Sequence, residues 1–351
     1  MKNGKSLVEL AQELERQSNA KKDFVASTET MEMTQGGQLV LDNANSDGQY
    51  DFSITEVAHS QIAQRLNIPL KYYKRMRELA PELLAQNVNT WFQTQPERRM
   101  IRTLDGQARA FLSDRYRRLD NYQLAEVVLP VLCELGDGVK IVSSELTEKR
   151  MYIKAINQRL ELEVKPGDVV QAGVCISNSE IGLGSLSVEP LIYRLVCTNG
   201  MIAKDFSTKR YHVGRAVDSQ AFELFSDETL KADDHAFFLK VQDTVKAAVE
   251  KTKFSKIVEQ LREAAEKPIE GNPVETVEVL ASEFNYSKEE SSGILTHLIQ
   301  GGELTAYGLS NAITRTSQDL DDYDRATDLE RDGSRILGLS RTAWKKLAMA
   351  Q

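Results

Sequence analysis

The chain has 351 residues, 41% hydrophobic and 27% charged, which is enough apolar surface for one large core or two modest ones without disulfides. Its 20 glycines and 8 prolines exclude collagen-like, low-complexity and wholly disordered classes. Lys+Arg 44 against Asp+Glu 52 leave a net charge of −8, which excludes a protein coated all over in basic residues.

In chain order, residues 1–50 read as a partly ordered segment. Leu7, Leu10, Ala11 and Leu14 recur at helical spacing, and the turn-rich GGQLVLDNANSDGQ fits a loop or a small hairpin. Residues 51–97 form a helical hairpin region. Thr55 is a candidate N-cap for TEVAHSQIAQRL, and a second helix, LKYYKRMRELAPELLAQNVNTWF, follows Asn67-Ile68-Pro69.

Residues 98–226 are the expected core. A β-hairpin over 98–113 turns at Asp105-Gly106, and a helix follows over 121–135. VKIVSS, RMYIKAI and VVQAGVCIS then form an antiparallel meander. The segment SVEPLIYRLVCTNGM is assigned to a helix, with Pro190 in its first turn and Asn199-Gly200 at its C-terminal cap. Residues 227–351 are a helical C-terminal region, broken at Gly271-Asn272-Pro273. The fold class is α+β: an antiparallel sheet with packed helices, flanked by a helical N-terminal part and a helical C-terminal part. No run approaches the roughly 18 apolar residues of a membrane helix, and the N-terminus is charged where a signal peptide is apolar, so a cytoplasmic protein is expected.

No catalytic constellation stands out. Cys133, Cys175 and Cys197 lie singly in apolar runs, as buried reduced thiols do. His59, His212, His235 and His297 are scattered, which gives neither metal-ligand spacing nor a triad. Ile181-Gly182-Leu183-Gly184 lacks the lysine of a phosphate loop; with Ser177, Asn178, Ser179 and Glu180 before it, it is a polar surface turn or a place where backbone approaches something closely. The acidic run over 319–332, interspersed with Arg325 and Arg331, fits an ion-paired helix face better than a calcium loop. Catalytic residues, metals and cofactors are therefore all expected to be none.

Charge points elsewhere. Residues 1–90 sum to −2, 91–215 to +3 and 216–351 to −9. Within the middle stretch Arg98, Arg99, Arg102, Arg109, Arg115, Arg117 and Arg118 face only Asp105 and Asp114. Arginine suits forked contacts with phosphate or carboxylate. In RMYIKAI, strand alternation puts Arg150, Tyr152 and Lys154 on one face, cations around a ring, which is what a single-stranded nucleic acid requires. With Lys209 and Arg210 these residues make a candidate nucleic-acid groove. The alternative is that the arginines pair with the acidic C-terminal region across a domain or subunit interface. Separately, IAQRLNIPLKYYKRM is like a DNA-reading helix-turn-helix whose second helix bears Lys71, Lys74, Arg75 and Arg77. Its turn has proline and no glycine, and Tyr72 and Tyr73 look partly buried.

The runs FLSDRYRRLDN, GVCISNSEIGLGSLSVEPLIYRLVCTNGMI and AYGLSNAITRTSQDLDDYDRATDLERDGSRIL resemble the phage/plasmid-like proteins of the domain-of-unknown-function 932 family, over roughly residues 50–340. The resemblance implies a gene of phages, prophages or conjugative plasmids, a bacterial host cytoplasm and no established catalytic residues. The order helix, three strands, helix is also similar to the core of ring-forming single-strand annealing proteins, in element order alone. The expected function is a non-catalytic nucleic-acid-binding protein of phage or plasmid DNA metabolism, binding or annealing single-stranded DNA as a homo-oligomer. One alternative is a protein that binds a host factor for counter-defence or regulation. Another is a metal-dependent nucleic-acid enzyme using Glu180, Glu189, Asp205 or the late aspartates.

Overall fold

Asp105 and Gly106, at φ +51° and +76°, build the two-residue turn that joins β5 (Arg98–Leu104) to β6 (Gln107–Ser113), because successive positive φ values match the twist of paired strands. Around this hairpin the first fifty residues assemble a sheet. After α1 (Leu7–Ala20), capped by Ser6, come β1 (Lys22–Ser27), β2 (Met31–Met33), β3 (Gln38–Asp42) and β4 (Gln49–Ile54). The order is β1-β5-β6-β4-β3-β2, antiparallel except for β4 beside β6. The segment expected to be partly ordered thus supplies β1, β2, β3 and the start of β4; β3 and β4 form the small hairpin offered for GGQLVLDNANSDGQ, while β1 is held by pairing with distant β5. The computed structural model describes residues 1–42, 48–136, 138–203, 209–211 and 227–350, with the side chains of 209–211 and 227–231 outside the described set.

Against one face of this sheet pack α2 (Glu56–Arg65), α3 (Leu70–Leu79) and α4 (Pro81–Thr94). Ile62, Ala63, Tyr73, Met76, Leu84, Val88 and Phe92 share a core with Leu39, Phe52, Ile101 and Phe111. Thr55 caps α2 as expected. The single long second helix expected from sequence is two helices: Pro81 removes an N–H, and Ala80 before it sits at φ −152°, ψ 63°, outside the helical region.

The second sheet follows α5 (Asn121–Glu134). Strands β7 (Val139–Leu146), β8 (Met151–Lys165), β9 (Asp168–Asn178), β10 (Leu186–Arg194) and β11 (Asn199–Ile202) run in the order β11-β10-β9-β8-β7, and β12 (Lys209–Tyr211) joins β10 beside Leu186–Val188. The helix expected over SVEPLIYRLVCTNGM is therefore a strand, a turn and a strand. Pro190 is tolerated because its carbonyl accepts Ala203 N–H on the side away from β9, so its missing donor costs that ladder nothing. The likeness to annealing proteins in element order loses its last helix here.

Seven helices complete the chain: α6 (Asp227–Ala248), α7 (Lys251–Ala265), α8 (Pro273–Phe284), α9 (Lys288–Gly301), α10 (Ala306–Thr316), α11 (Tyr323–Leu337) and α12 (Arg341–Ala348). The second sheet is covered on both faces. Met151, Ile153, Val174 and Ile176 pack on α5 and α6, while Tyr152 and Lys154 meet α11. The architecture is α+β with helices at both ends, as the sequence indicated, and with two sheets. Among the described residues no helix is long and apolar enough to cross a membrane.

Candidate nucleic-acid interface

The arginines of the 98–118 stretch lie mostly inside the protein. Arg102 on β5 is 2% exposed; its Nε lies 3.0 Å from Asp23 Oδ1, its Nη2 2.5 Å from Asp120 Oδ1, and its Nη1 donates to the Glu180 carbonyl at 3.0 Å. Arg109 on β6 reaches Glu180 Oε2 at 3.2 Å, and burial draws its pKa down further than Glu180 restores it. Lys21 joins Asp120 at 2.6 Å. Burial opposes ionising Asp120, but Arg102 and Lys21 override it and hold the carboxyl below its usual range. Arg99 pairs with Glu97, Arg118 with Asp23 at 3.5 Å, and Arg117 with Asp234 at 2.6 Å while lying over the Phe237 ring. Arg98 and Arg115 are exposed. Two of the anions that neutralise the cluster, Glu97 and Asp120, sit just outside it in sequence, immediately before Arg98 and shortly after Arg118.

The strand face fares the same way. Tyr152 and Lys154 are both 0% exposed. Tyr152 hydroxyl donates to Asp324 at 2.8 Å, and Lys154 Nζ lies 2.6 Å from Glu330 Oε2 and 3.0 Å from Thr327 Oγ1. Arg150 donates to the Leu183 carbonyl at 2.6 Å. Alternation named the correct face, but α11 covers Tyr152 and Lys154, which form an interior seam there, while Arg150 stays half-exposed just before the strand. Lys209 and Arg210 lie on β12 beside Val188 and Ser187, and their side chains lie outside the described residues, as do His212 and Asp205.

The polar run before the glycines is also interior. Ser177, Asn178, Ser179 and Glu180 are all buried. Asn178 Nδ2 donates to the Leu119 carbonyl and to Asn121 Oδ1, and Glu180 Oε1 accepts Asn121 N–H at 2.6 Å, holding the start of α5. Gly182, at φ +76°, sits where a Cβ would stand 2.7 Å from Leu112 Cδ2; the close approach is between the β9–β10 loop and β6. Glu189 is taken by Arg331 at 2.9 Å and by Ser187. Of the late acids, Asp328 pairs locally with Arg331 and Asp332 with Arg335, while Asp324 and Glu330 reach β8, and no group of three or more His, Cys, Asp or Glu among the described residues could hold a metal ion. Cys175 is buried, its thiol pushed up to about 12 by burial; Cys133 is exposed, against expectation, because it falls on the outward side of α5.

Among the described residues Arg98 and Arg115 stay exposed without an ion pair, and so does one cationic helix face. Helix α3 buries Tyr73 and Met76, and at 100° per residue the opposite side carries Lys71, Lys74, Arg75 and Glu78, all exposed. Among the described residues Lys71, Lys74 and Arg75 make no ion pair or side-chain hydrogen bond. Arg77 is used internally, on Glu56 of α2. At the end of α2, Arg65 and Arg99 share the single carboxylate of Glu97, a further unbalanced positive charge. Tyr72, expected to be partly buried, is 47% exposed beside this face.

A family model described as a domain of unknown function, DUF932, matches residues 109–345, more than half of the chain. The chain belongs to that family. No curated protein and no solved structure matches it. The DUF932 match begins inside β6, so it takes in the second sheet, the Glu180 loop and the C-terminal helices, and it leaves α2 and α3 ahead of it. The cationic helix is carried on the part of the chain that the family description does not cover.

Proposed function

We propose that this protein is a non-catalytic nucleic-acid-binding protein of phage or plasmid DNA metabolism that docks through the outer face of α3. The observation that carries the reading is the contrast between two sets of cations. Most of the central arginines already have carboxylate partners in the fold, whereas Lys71, Lys74 and Arg75 stand exposed with none among the described residues. Three cations against Glu78 on one exposed helix face leave a local positive excess on a protein of net charge −8, and such an excess steers a polyanion to that face.

The test is fluorescence anisotropy of labelled oligonucleotides, single- and double-stranded, across a salt series. Affinity should fall steeply with salt, and Lys71→Glu/Lys74→Glu/Arg75→Glu should flatten the slope by about 0.7–0.9 for each phosphate the variant no longer neutralises. Absence of binding to any strand at low salt overturns the reading.

A further inference from the structure

The α2–α3 pair fixes which form of nucleic acid that surface suits. Helix α2 ends on Asn67, held in the left-handed region at φ +54°, with Ile68 N–H bonded to the Ala63 carbonyl at 2.9 Å across five residues. That is a Schellman stop, in which a left-handed residue ends one helix and sends the chain sharply away; Asn supplies here what glycine commonly supplies. Ile68 then packs beside Ile62 and Ala63 in the same core. Pro69 caps α3 and its carbonyl accepts the N–H groups of Tyr72 and Tyr73, so two helices are joined by only the four residues 66–69. His59 Nδ1 lies 2.9 Å from the Tyr73 hydroxyl, and Arg77 pairs with Glu56, pinning the second helix to the first at two further points.

A helix fixed this way has one free side. Tyr73 and Met76 are spent on the core, and Lys71, Lys74 and Arg75 project from the first two turns of a helix of about 15 Å. A major groove about 12 Å wide accepts such a helix and meets the side chains of its first turns with base edges, while cations at its margins take phosphates. A single strand offers no such groove, and it is bound by exposed aromatic platforms along a cationic channel. Helix α3 itself offers a single exposed aromatic among the described residues, Tyr72.

We infer that α2–α3 is a helix-turn-helix that docks α3 in the major groove of double-stranded DNA. Lys71 and Arg75, one turn apart on the same ridge, read base edges; Lys74 holds a phosphate. The inference rests on the nucleic-acid reading above and narrows it to duplex DNA read with sequence preference.

The experiment selects duplexes bound by the full-length protein from a random-sequence library. It then compares the selected duplex, a scrambled duplex and the separated strands by anisotropy. The expected result is an enriched sequence bound at least about 100-fold more tightly than the scrambled duplex or the single strands. Arg75→Ala should lose about 10-fold on the selected duplex and little on the scrambled one, whereas Lys74→Ala should weaken both alike and lower the salt slope by about 1. Lys345→Ala, an exposed cation on α12, is the charge-matched control and should change neither. These side chains are exposed, and unchanged thermal melting verifies that each variant is folded. Equal binding of single strands and duplex, with nothing enriched, overturns the duplex inference while the nucleic-acid reading stands. Binding to no oligonucleotide overturns both.

Discussion

Lys154 and Glu330 are both wholly buried, 176 residues apart in sequence and 2.6 Å apart in space. Burial opposes the lysine's charge and Glu330 more than restores it, so its pKa stands above the ordinary value. The Tyr323 ring, 4.6 Å from Nζ, adds a cation–π contact, while Glu330 Oε1 has no hydrogen-bond partner among the described residues. Removing one member of such a pair strands the other charge in a dry site. Lys154→Met should therefore cost about 3–5 kcal/mol in urea unfolding, and Lys154→Met/Glu330→Leu should recover at least half of it. Equal losses in the single and double variants would mean that packing, and not a stranded carboxylate, sets the cost. Nothing local to RMYIKAI could have revealed this role, because a cation on an alternating strand looks solvent-facing until a distant helix covers it.

At the scale of elements, the α2–α3 hairpin carries a titratable pin. Burial, with Arg77 nearby, lowers the pKa of His59 from 6.5 to about 4. The folded state therefore favours the neutral ring, and the unfolded chain takes up a proton first as pH falls. Stability from this group is complete above pH 6.5 and declines as pH drops towards 4, by at most about 3 kcal/mol. Thermal melts of wild type and His59→Gln between about pH 7 and about pH 4.5 isolate this contribution: the wild type should lose more Tm on acidification than the variant, and parallel curves would rule it out. The elements most legible in sequence are those with local punctuation: the Thr55 cap, the Asp105-Gly106 turn and α5, together with the helical run after the Gly271-Asn272-Pro273 break. Strands β1, β2 and β10 are hidden from a local reading because long-range partners stabilise them. The left-handed Asn67 stop shows in sequence only as a missing glycine.

Across the whole molecule, the arginine cluster and the cationic helix divide two tasks that composition merges. Arg102 ties β5 to Asp23 on β1, to Asp120 before α5 and to the Glu180 backbone in the β9–β10 loop, so it joins four segments of the chain. Its side chain is 3% exposed, too enclosed to meet a phosphate while those partners hold it. Arg102→Met removes the guanidinium shared by Asp23 and Asp120, leaving Lys21, Arg109 and Arg118 nearby, and should destabilise the fold by about 3–5 kcal/mol. Below its own melting temperature, the folded fraction of that variant should still bind oligonucleotides with the wild-type salt slope. Lys71→Glu/Lys74→Glu/Arg75→Glu should behave oppositely, with unchanged melting and weakened binding on a flatter salt slope. If Arg102→Met lost affinity in proportion to nothing but its charge, at full stability, the cluster would be open to ligand in solution, and the groove read from sequence would displace α3 as the binding surface.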